Sequence, residues 1–182
     1  MSSFDPSAYG PEVARLLRDV PLAPLDAGSP NEKVRAELAS LTPEKLFAHT
    51  GQPIRDPRMA QCCLAGLWLR HNFLDESHAI SQEIETPAGG LWHAILHRRE
   101  PDYGNARYWC RRVGSHPIFP KLNELAIPLG WTLSPRWDSF AFVDRVEQVC
   151  RKKDLDSLEL CLTLQQFEWE LLFDYSWQHS LA

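Results

Sequence analysis

The pattern of apolar and polar positions along this chain is helical almost throughout, and proline marks where helices begin. Asp56-Pro57 and Thr86-Pro87 each place a capping side chain directly before proline, which is favourable as the first residue of a helix. No proline lies within residues 58–84, which predicts a long helical element there. Further helices are predicted over residues 87–99, 102–113, 136–152 and 155–178.

Short helices and proline-rich connections are predicted for the rest of the chain. Residues 21–30 hold three prolines and a glycine, which predicts an extended connector, and residues 115–135 hold four prolines, which predicts irregular structure. We expect an all-α fold, a single-domain irregular helical bundle with an extended, Pro-rich N-terminal arm. The single domain spans residues 1–182, with the loosely attached arm and short helices in 1–55 and the helical core in 56–182.

A polar stripe replaces apolar residues on one face of the helix predicted over 58–84. Positions spaced alternately four and three apart share a helix face. An apolar flank continues beside the polar positions, which indicates that this face does not simply emerge into water. The face consists of two apolar residues followed by four polar ones: Leu64, Trp68, His71, Asp75, His78 and Gln82.

A matching polar stripe lies on the next predicted helix. His93 and His97 are four residues apart and therefore lie on one side, and Glu100 is near the same face. The short link between the two helices predicts that they pack antiparallel as neighbours. We therefore expect the two stripes to face each other, with His78 and Gln82 opposite His93, and His71 and Asp75 opposite His97 and Glu100.

The expected cluster has the composition of a metal site with an open coordination position. Two imidazoles at i and i+4 can hold one divalent metal, and His78 on the facing helix supplies a third nitrogen to His93 and His97. Asp75 is either a fourth ligand or an acceptor that fixes a histidine tautomer. Zinc, iron(II) and manganese(II) all suit such a site. In an enzyme, Asp75 or Glu100 would be catalytic groups that handle protons.

Two interpretations without metal remain open for the same residues. Buried histidines bonded to carboxylates can form a closed structural network that holds helices in register. Alternatively, the cluster can line a pocket for a small ligand that needs no metal.

Arginines are concentrated directly after the histidines. Residues 98–112 carry five arginines and two acids, whereas residues 154–182 carry six acids and neither lysine nor arginine. Guanidinium groups bind carboxylates and phosphates in a bidentate manner. One interpretation is therefore a site for a small anionic molecule, and the other is pairing with the acidic C-terminal helix. The candidate anion-binding residues are Arg98, Asn105, Tyr108 and Arg112.

Composition restricts the partners of this chain. Its 182 residues carry a net charge of −5, which argues against broad nucleic-acid binding through phosphate contacts. No apolar run approaches the roughly 20 residues of a membrane span. The sequence begins without the basic and apolar segments of an export signal, so a cytoplasmic location with reduced thiols is expected. Exposed tryptophans near the C-terminus would indicate a homodimer.

Several long motifs resemble an uncharacterised family of small bacterial and fungal proteins. The similar segments are LWLRHNFLDESHAISQ (67–82) and GLWHAILHRREPDYGNARYWCRRVGSHPIFPKL (90–122). Cys110 departs from the family pattern, in which an aromatic residue is expected. The resemblance implies no activity.

Together these features favour a metal-dependent hydrolase that acts on a small anionic metabolite. A metal would activate water, and an arginine would anchor the substrate. The alternatives are a metal-free binding module and a structural protein with a buried histidine and aspartate network.

Overall fold

The computed structural model describes residues 4–131 and 136–182, and within these residues it contains helices and no strand. Four 3-10 turns, at Pro6–Tyr9, Glu32–Val34, Ala48–Thr50 and Ile127–Leu129, accompany the α-helices. The fold is therefore all-α, as predicted. The α-helices are α1 (Pro11–Leu17), α2 (Arg35–Ser40), α3 (Pro43–Phe47), α4 (Pro57–Arg70), α5 (Leu74–Ser81), α6 (Pro87–Arg99), α7 (Tyr103–Val113), α8 (Phe119–Ala126), α9 (Ser139–Lys152) and α10 (Leu155–Leu181).

The capping signals in the sequence fix where several helices begin. The Thr86 hydroxyl accepts a hydrogen bond from the Gly89 amide, and the Asp102 carboxylate accepts one from the Asn105 amide. These bonds satisfy amides that have no partner inside the helix. The predicted starts and ends of α6 and α7 are confirmed to within a residue.

The helix predicted over 58–84 is broken in two. Helix α4 ends at Arg70 and α5 begins at Leu74, and Asn72 between them has a φ of 64°. Asparagine is one of the few residues that adopt this left-handed conformation readily. The Asn72 side chain donates to the carbonyl of Ser29 and accepts from Arg99. Contacts from distant segments therefore hold the break.

Helix α6 lies at the centre of the bundle. Every residue from Ala88 to Arg99 is buried, because α4, α5, α7, α9 and α10 all pack against it. Trp92 is fully enclosed, and its indole N–H points to the hydroxyl of Ser176 on α10. Polar side chains on α6 are consequently held among other groups of the protein rather than in bulk water.

The N-terminal segment packs more closely than a loosely attached arm. Tyr9, Val13 and Phe47 are buried in the same apolar cluster as the later helices, and the Tyr9 hydroxyl donates to Asp174. Residues 21–30 form neither helix nor strand, which agrees with the predicted connector. Two buried arginines hold this region through backbone carbonyls, Arg70 at Val20 and Pro21, and Arg99 at Asp26 and Ala27.

The region predicted to be irregular contains a helix. Helix α8 forms with Pro120 in its first turn, where a missing amide hydrogen is tolerated. The last four residues of that predicted region, 132–135, lie outside the described residues. Trp169 and Trp177 are buried within the chain, so neither is the exposed tryptophan that would indicate a homodimer. Among the described helices, none combines the length and the apolar character needed to cross a membrane.

Candidate metal centre

Helices α5 and α6 bring three histidines together, as the sequence pattern predicts. His78 lies on α5, and His93 and His97 lie one turn apart on α6. One ring nitrogen from each residue lies within 4.8 Å of the other two. His93 and His97 are buried, whereas His78 is partly exposed. The cluster is therefore enclosed by the protein on one side and reachable by solvent at His78.

The rings are packed face to face and edge to face. The rings of His93 and His97 are nearly parallel, with centroids 4.7 Å apart, and the His78 ring lies edge-on to both at 4.6 and 5.4 Å. On its other face His93 stacks on Trp109 of α7, with centroids 4.2 Å apart. His93 is thus held between two rings, which restricts its orientation.

A carboxylate orients one of the three imidazoles. Nδ1 of His97 lies 2.9 Å from Oε2 of Glu100, the residue that follows the last turn of α6. In the tautomer that satisfies this contact, Nδ1–H donates to the carboxylate and Nε2 keeps its lone pair. A histidine held by a carboxylate in this way is a common arrangement at metal sites, since it fixes the ring and raises its basicity.

The cluster is not closed as a hydrogen-bond network. Nδ1 of His93 is buried and has no partner, and within the described residues no hydrogen bond joins the three imidazoles to one another. A buried polar group without a partner costs about 1–3 kcal/mol. Burial, followed by the neighbouring His97 and His78, lowers the pKa of His93 to about 4. His93 is therefore neutral at pH 7, which is the form that binds metal.

His71 and Asp75, two other polar residues of the first stripe, are not part of the cluster. The helix break at residues 71–73 separates His71 from α5, and the Nδ1 atom of His71 lies 3.3 Å from the side-chain nitrogen Nδ2 of Asn31. Asp75 is exposed and lines a cleft of about 310 Å³ together with Glu100. Its carboxylate is not among the atoms that converge with the three histidine nitrogens. The expected pairing of His71 with His97 and Glu100 does not form.

Arg98 is buried in the interior of the bundle. Its Nη2 donates to Oε2 of Glu168 on α10 at 2.6 Å, and its guanidinium lies 4.4 Å from the ring centroid of Phe142. Both charged side chains are almost fully enclosed, at 3% and 1% exposure. For Arg98 the structure therefore corresponds to the alternative in which arginines pair with the acidic C-terminal helix.

The remaining candidate anion-binding residues lie on α7. Asn105 is bound to Asp102 through its backbone and side-chain nitrogens, so it contributes to the helix cap. Arg112 extends over Trp109, 5.1 Å from the ring centroid, and donates to the Tyr108 hydroxyl at 3.2 Å. Arg112 and Trp109 both line a cleft of about 480 Å³ at the start of α6. Of the four candidates, Arg112 lines this cleft, which reaches His93 only through the Trp109 ring.

Trp109 is the site residue that the sequence pattern does not predict. Its spacing on α7 matches the apolar face of that helix, which indicates a core residue. The structure instead places it between His93 and the cleft, half-buried, with Arg112 on its outer side. Trp92 adjoins His93 in sequence but points into the core. The packing of α7 on α6 determines that Trp109, and not Trp92, stacks on the ring of His93.

No protein-family model, no curated protein and no solved structure matches this chain. The fold and the site therefore define its class by themselves: an all-α protein with a buried cluster of three histidines, able to hold a metal ion, between two adjacent helices.

Proposed function

We propose that His78, His93 and His97 bind one divalent transition metal, most favourably zinc, and that the protein is a metal-dependent hydrolase. The observation that carries the proposal is the convergence of three ring nitrogens without hydrogen bonds among them. In a structural network the buried nitrogens would have partners, and Nδ1 of His93 has none.

The geometry requires a small adjustment to hold a metal. With bonds of about 2.0–2.1 Å to each nitrogen, a tetrahedral site separates its ligand atoms by about 3.3 Å. The three nitrogens lie within 4.8 Å of one another, so no pair must approach by more than about 1.5 Å. His78 is partly exposed and can supply much of this movement by rotating its side chain.

Three protein ligands leave one coordination position for water, which is the usual difference between catalytic and structural zinc sites. A bound metal would supply Lewis acidity and an activated water molecule. Glu100 holds the His97 ring through Nδ1, and Trp109 holds His93 from the side of α7. Asp75, exposed in the cleft that Glu100 also lines, is the candidate to exchange protons with solvent.

Two measurements on the purified protein test the proposal. Protein prepared without added metal and then dialysed against zinc is expected to hold one zinc per chain, and His93→Ala and His97→Ala are expected to hold none. In the cobalt(II)-substituted protein, azide should change the visible spectrum, because an exchangeable position admits the anion. Substoichiometric zinc in the wild-type protein, or equal zinc in the alanine variants, would contradict the metal site.

A metal-free pocket is the second candidate, and the cleft beside Trp109 is the observation that favours it. In that case a small ligand would stabilise the protein equally before and after treatment with a chelator, and the zinc content would remain near zero.

A further inference from the structure

The cleft that Trp109 and Arg112 line carries charges of both signs. It is bordered by the end of α5, the start of α6 and the last turn of α7, and its volume is about 480 Å³. Arg112 and Glu85 both line it. Within the described residues neither side chain forms an ion pair within 4 Å, so the two opposite charges lie at the same cleft without neutralising each other directly. An anion alone would be attracted by Arg112 and repelled by Glu85.

The two charges are nevertheless close enough to influence each other. The pKa of Arg112 is raised above its ordinary value, first by the hydrogen bond with Tyr108 and to a lesser degree by Glu85. A ligand with a cationic and an anionic end, separated by a few bonds, therefore matches this pair better than an ion of either sign.

The rest of the cleft suits the body of a small peptide. Ile84, Val113 and the edge of Trp109 provide apolar surface, and the exposed Gln82 amide provides a donor and an acceptor. Clefts of roughly 300–1,000 Å³ are typical for small-molecule ligands, and the volume here accommodates a ligand of dipeptide size.

The cleft and the histidines are separated by a single ring. Trp109 contacts His93 on one face and forms part of the cleft wall. Gly90, one turn before His93 on α6, also lines the cleft. A ligand anchored between Arg112 and Glu85 therefore lies in a cleft whose wall, at Trp109, stacks on His93.

We propose that this cleft binds a zwitterionic, amino-acid-derived molecule of about dipeptide size, with its carboxylate on Arg112 and its ammonium group on Glu85. The proposal rests on the proposed function, because it names the substrate class of the same metal centre. The sequence predicts a small anionic ligand, and the cleft restricts this class to ligands that also carry a positive charge.

Isothermal titration calorimetry on the metal-free protein at low ionic strength tests the two charged groups of the ligand one at a time. The probes are L-leucyl-glycine, N-acetyl-L-leucyl-glycine, which lacks the ammonium group, and L-leucyl-glycinamide, which lacks the carboxylate. We expect the free dipeptide to bind about tenfold more tightly than either blocked form, since each loses one charge-assisted contact.

Variants assign each charge to its side chain. Arg112→Gln should bind L-leucyl-glycine about tenfold more weakly than the wild type does, and with the same affinity as it binds L-leucyl-glycinamide. Glu85→Gln should bind L-leucyl-glycine with the same affinity as it binds N-acetyl-L-leucyl-glycine. Arg111→Gln and Glu83→Gln are matched controls, because both residues are exposed neighbours that do not line the cleft, and they should leave binding unchanged.

The outcomes separate this proposal from the metal site. No binding of L-leucyl-glycine by the wild-type protein, equal binding of all three probes, or no effect of both cleft variants would overturn the zwitterion site. Failure of the metal proposal would instead appear as absence of zinc while the pattern of dipeptide binding persists. Arg112→Gln and Glu85→Gln are expected to retain one zinc per chain, since neither residue belongs to the histidine cluster.

Discussion

Replacing Glu100 by glutamine should weaken metal binding without removing it. Glu100 accepts a hydrogen bond from Nδ1–H of His97 at 2.9 Å, and its carboxylate is partly exposed, so the change affects the histidine more than the core. Removing such an orienting partner typically lowers metal affinity about 10- to 100-fold, or roughly 1.4–2.7 kcal/mol. Glu100→Gln should therefore bind zinc 10- to 100-fold more weakly than the wild type, whereas His97→Ala should lose binding altogether.

The affinity is best measured by competition with a chromophoric zinc chelator at one fixed pH, because protons compete with metal for imidazole. Asp75→Asn is the matched control, since Asp75 lines the same cleft as Glu100 but is not part of the converging ligand atoms. If Asp75 were a fourth ligand, its variant would lose more affinity than Glu100→Gln. Wild-type affinity in Glu100→Gln would show that Glu100 does not orient a metal ligand, and a larger loss in Asp75→Asn would show that Asp75 is itself a ligand.

Three further predictions concern the packing around the site. Glu168→Gln leaves the Arg98 charge buried without its partner and should destabilise the protein by about 3–5 kcal/mol in urea, whereas replacing Arg98 and Glu168 together by methionine and leucine should restore most of that loss. Gly66→Ala should also be destabilising, by about 1–3 kcal/mol in urea, since the added Cβ would lie 2.8 Å from the enclosed Trp92 ring. Burial, then the nearby His179, lowers the pKa of His116 to about 4. As the pH falls, His116 is protonated in the unfolded chain before it is protonated in the folded chain. The free energy of unfolding of the wild type should therefore decline between about pH 6.5 and about pH 4. Relative to His116→Gln, the decline should be on the order of 3 kcal/mol.

Each of these three has an outcome that would contradict it. A Glu168→Gln variant within 1 kcal/mol of the wild type would mean that the Arg98 charge reaches water. An unchanged midpoint for Gly66→Ala would mean that Trp92 moves freely. For His116→Gln, a pH profile parallel to that of the wild type would mean that His116 is protonated equally in the folded and unfolded chains.

The histidine cluster is predictable from the sequence because it depends on local rules. The spacing of His93 and His97 fixes their common side of α6, and the short link before Pro87 places α5 against α6. Only the side-chain period and the loop length are needed for this inference. Capping residues before proline locate the start of α6 for the same reason.

The break between α4 and α5 is not predictable by those rules. It depends on Asn72, whose side chain is held by Arg99 and by the carbonyl of Ser29, residues that are distant in the sequence. The periodic pattern continues through the break, so the pattern alone cannot reveal it. This is why His71 lies outside the cluster although it matches the spacing of the stripe.

The environment of the arginines also depends on tertiary packing. Arg98 and Arg112 lie in one basic segment, yet Arg98 is enclosed with Glu168 while Arg112 is exposed at a cleft. Charge counts indicate how many partners are available but not which side chain is enclosed. The Trp109 contact with His93 depends on the packing of α7 on α6 in the same way.

Anomalous scattering from crystals can locate the one metal that we propose three histidines hold between α5 and α6. Crystals of the zinc-loaded protein, measured on both sides of the zinc absorption edge, are expected to show one peak bounded by His78, His93 and His97, with nitrogens at about 2.0–2.1 Å and a fourth position not filled by protein. Zinc bound elsewhere in the chain, or no anomalous peak among the three imidazoles, would show that these histidines do not form a metal site.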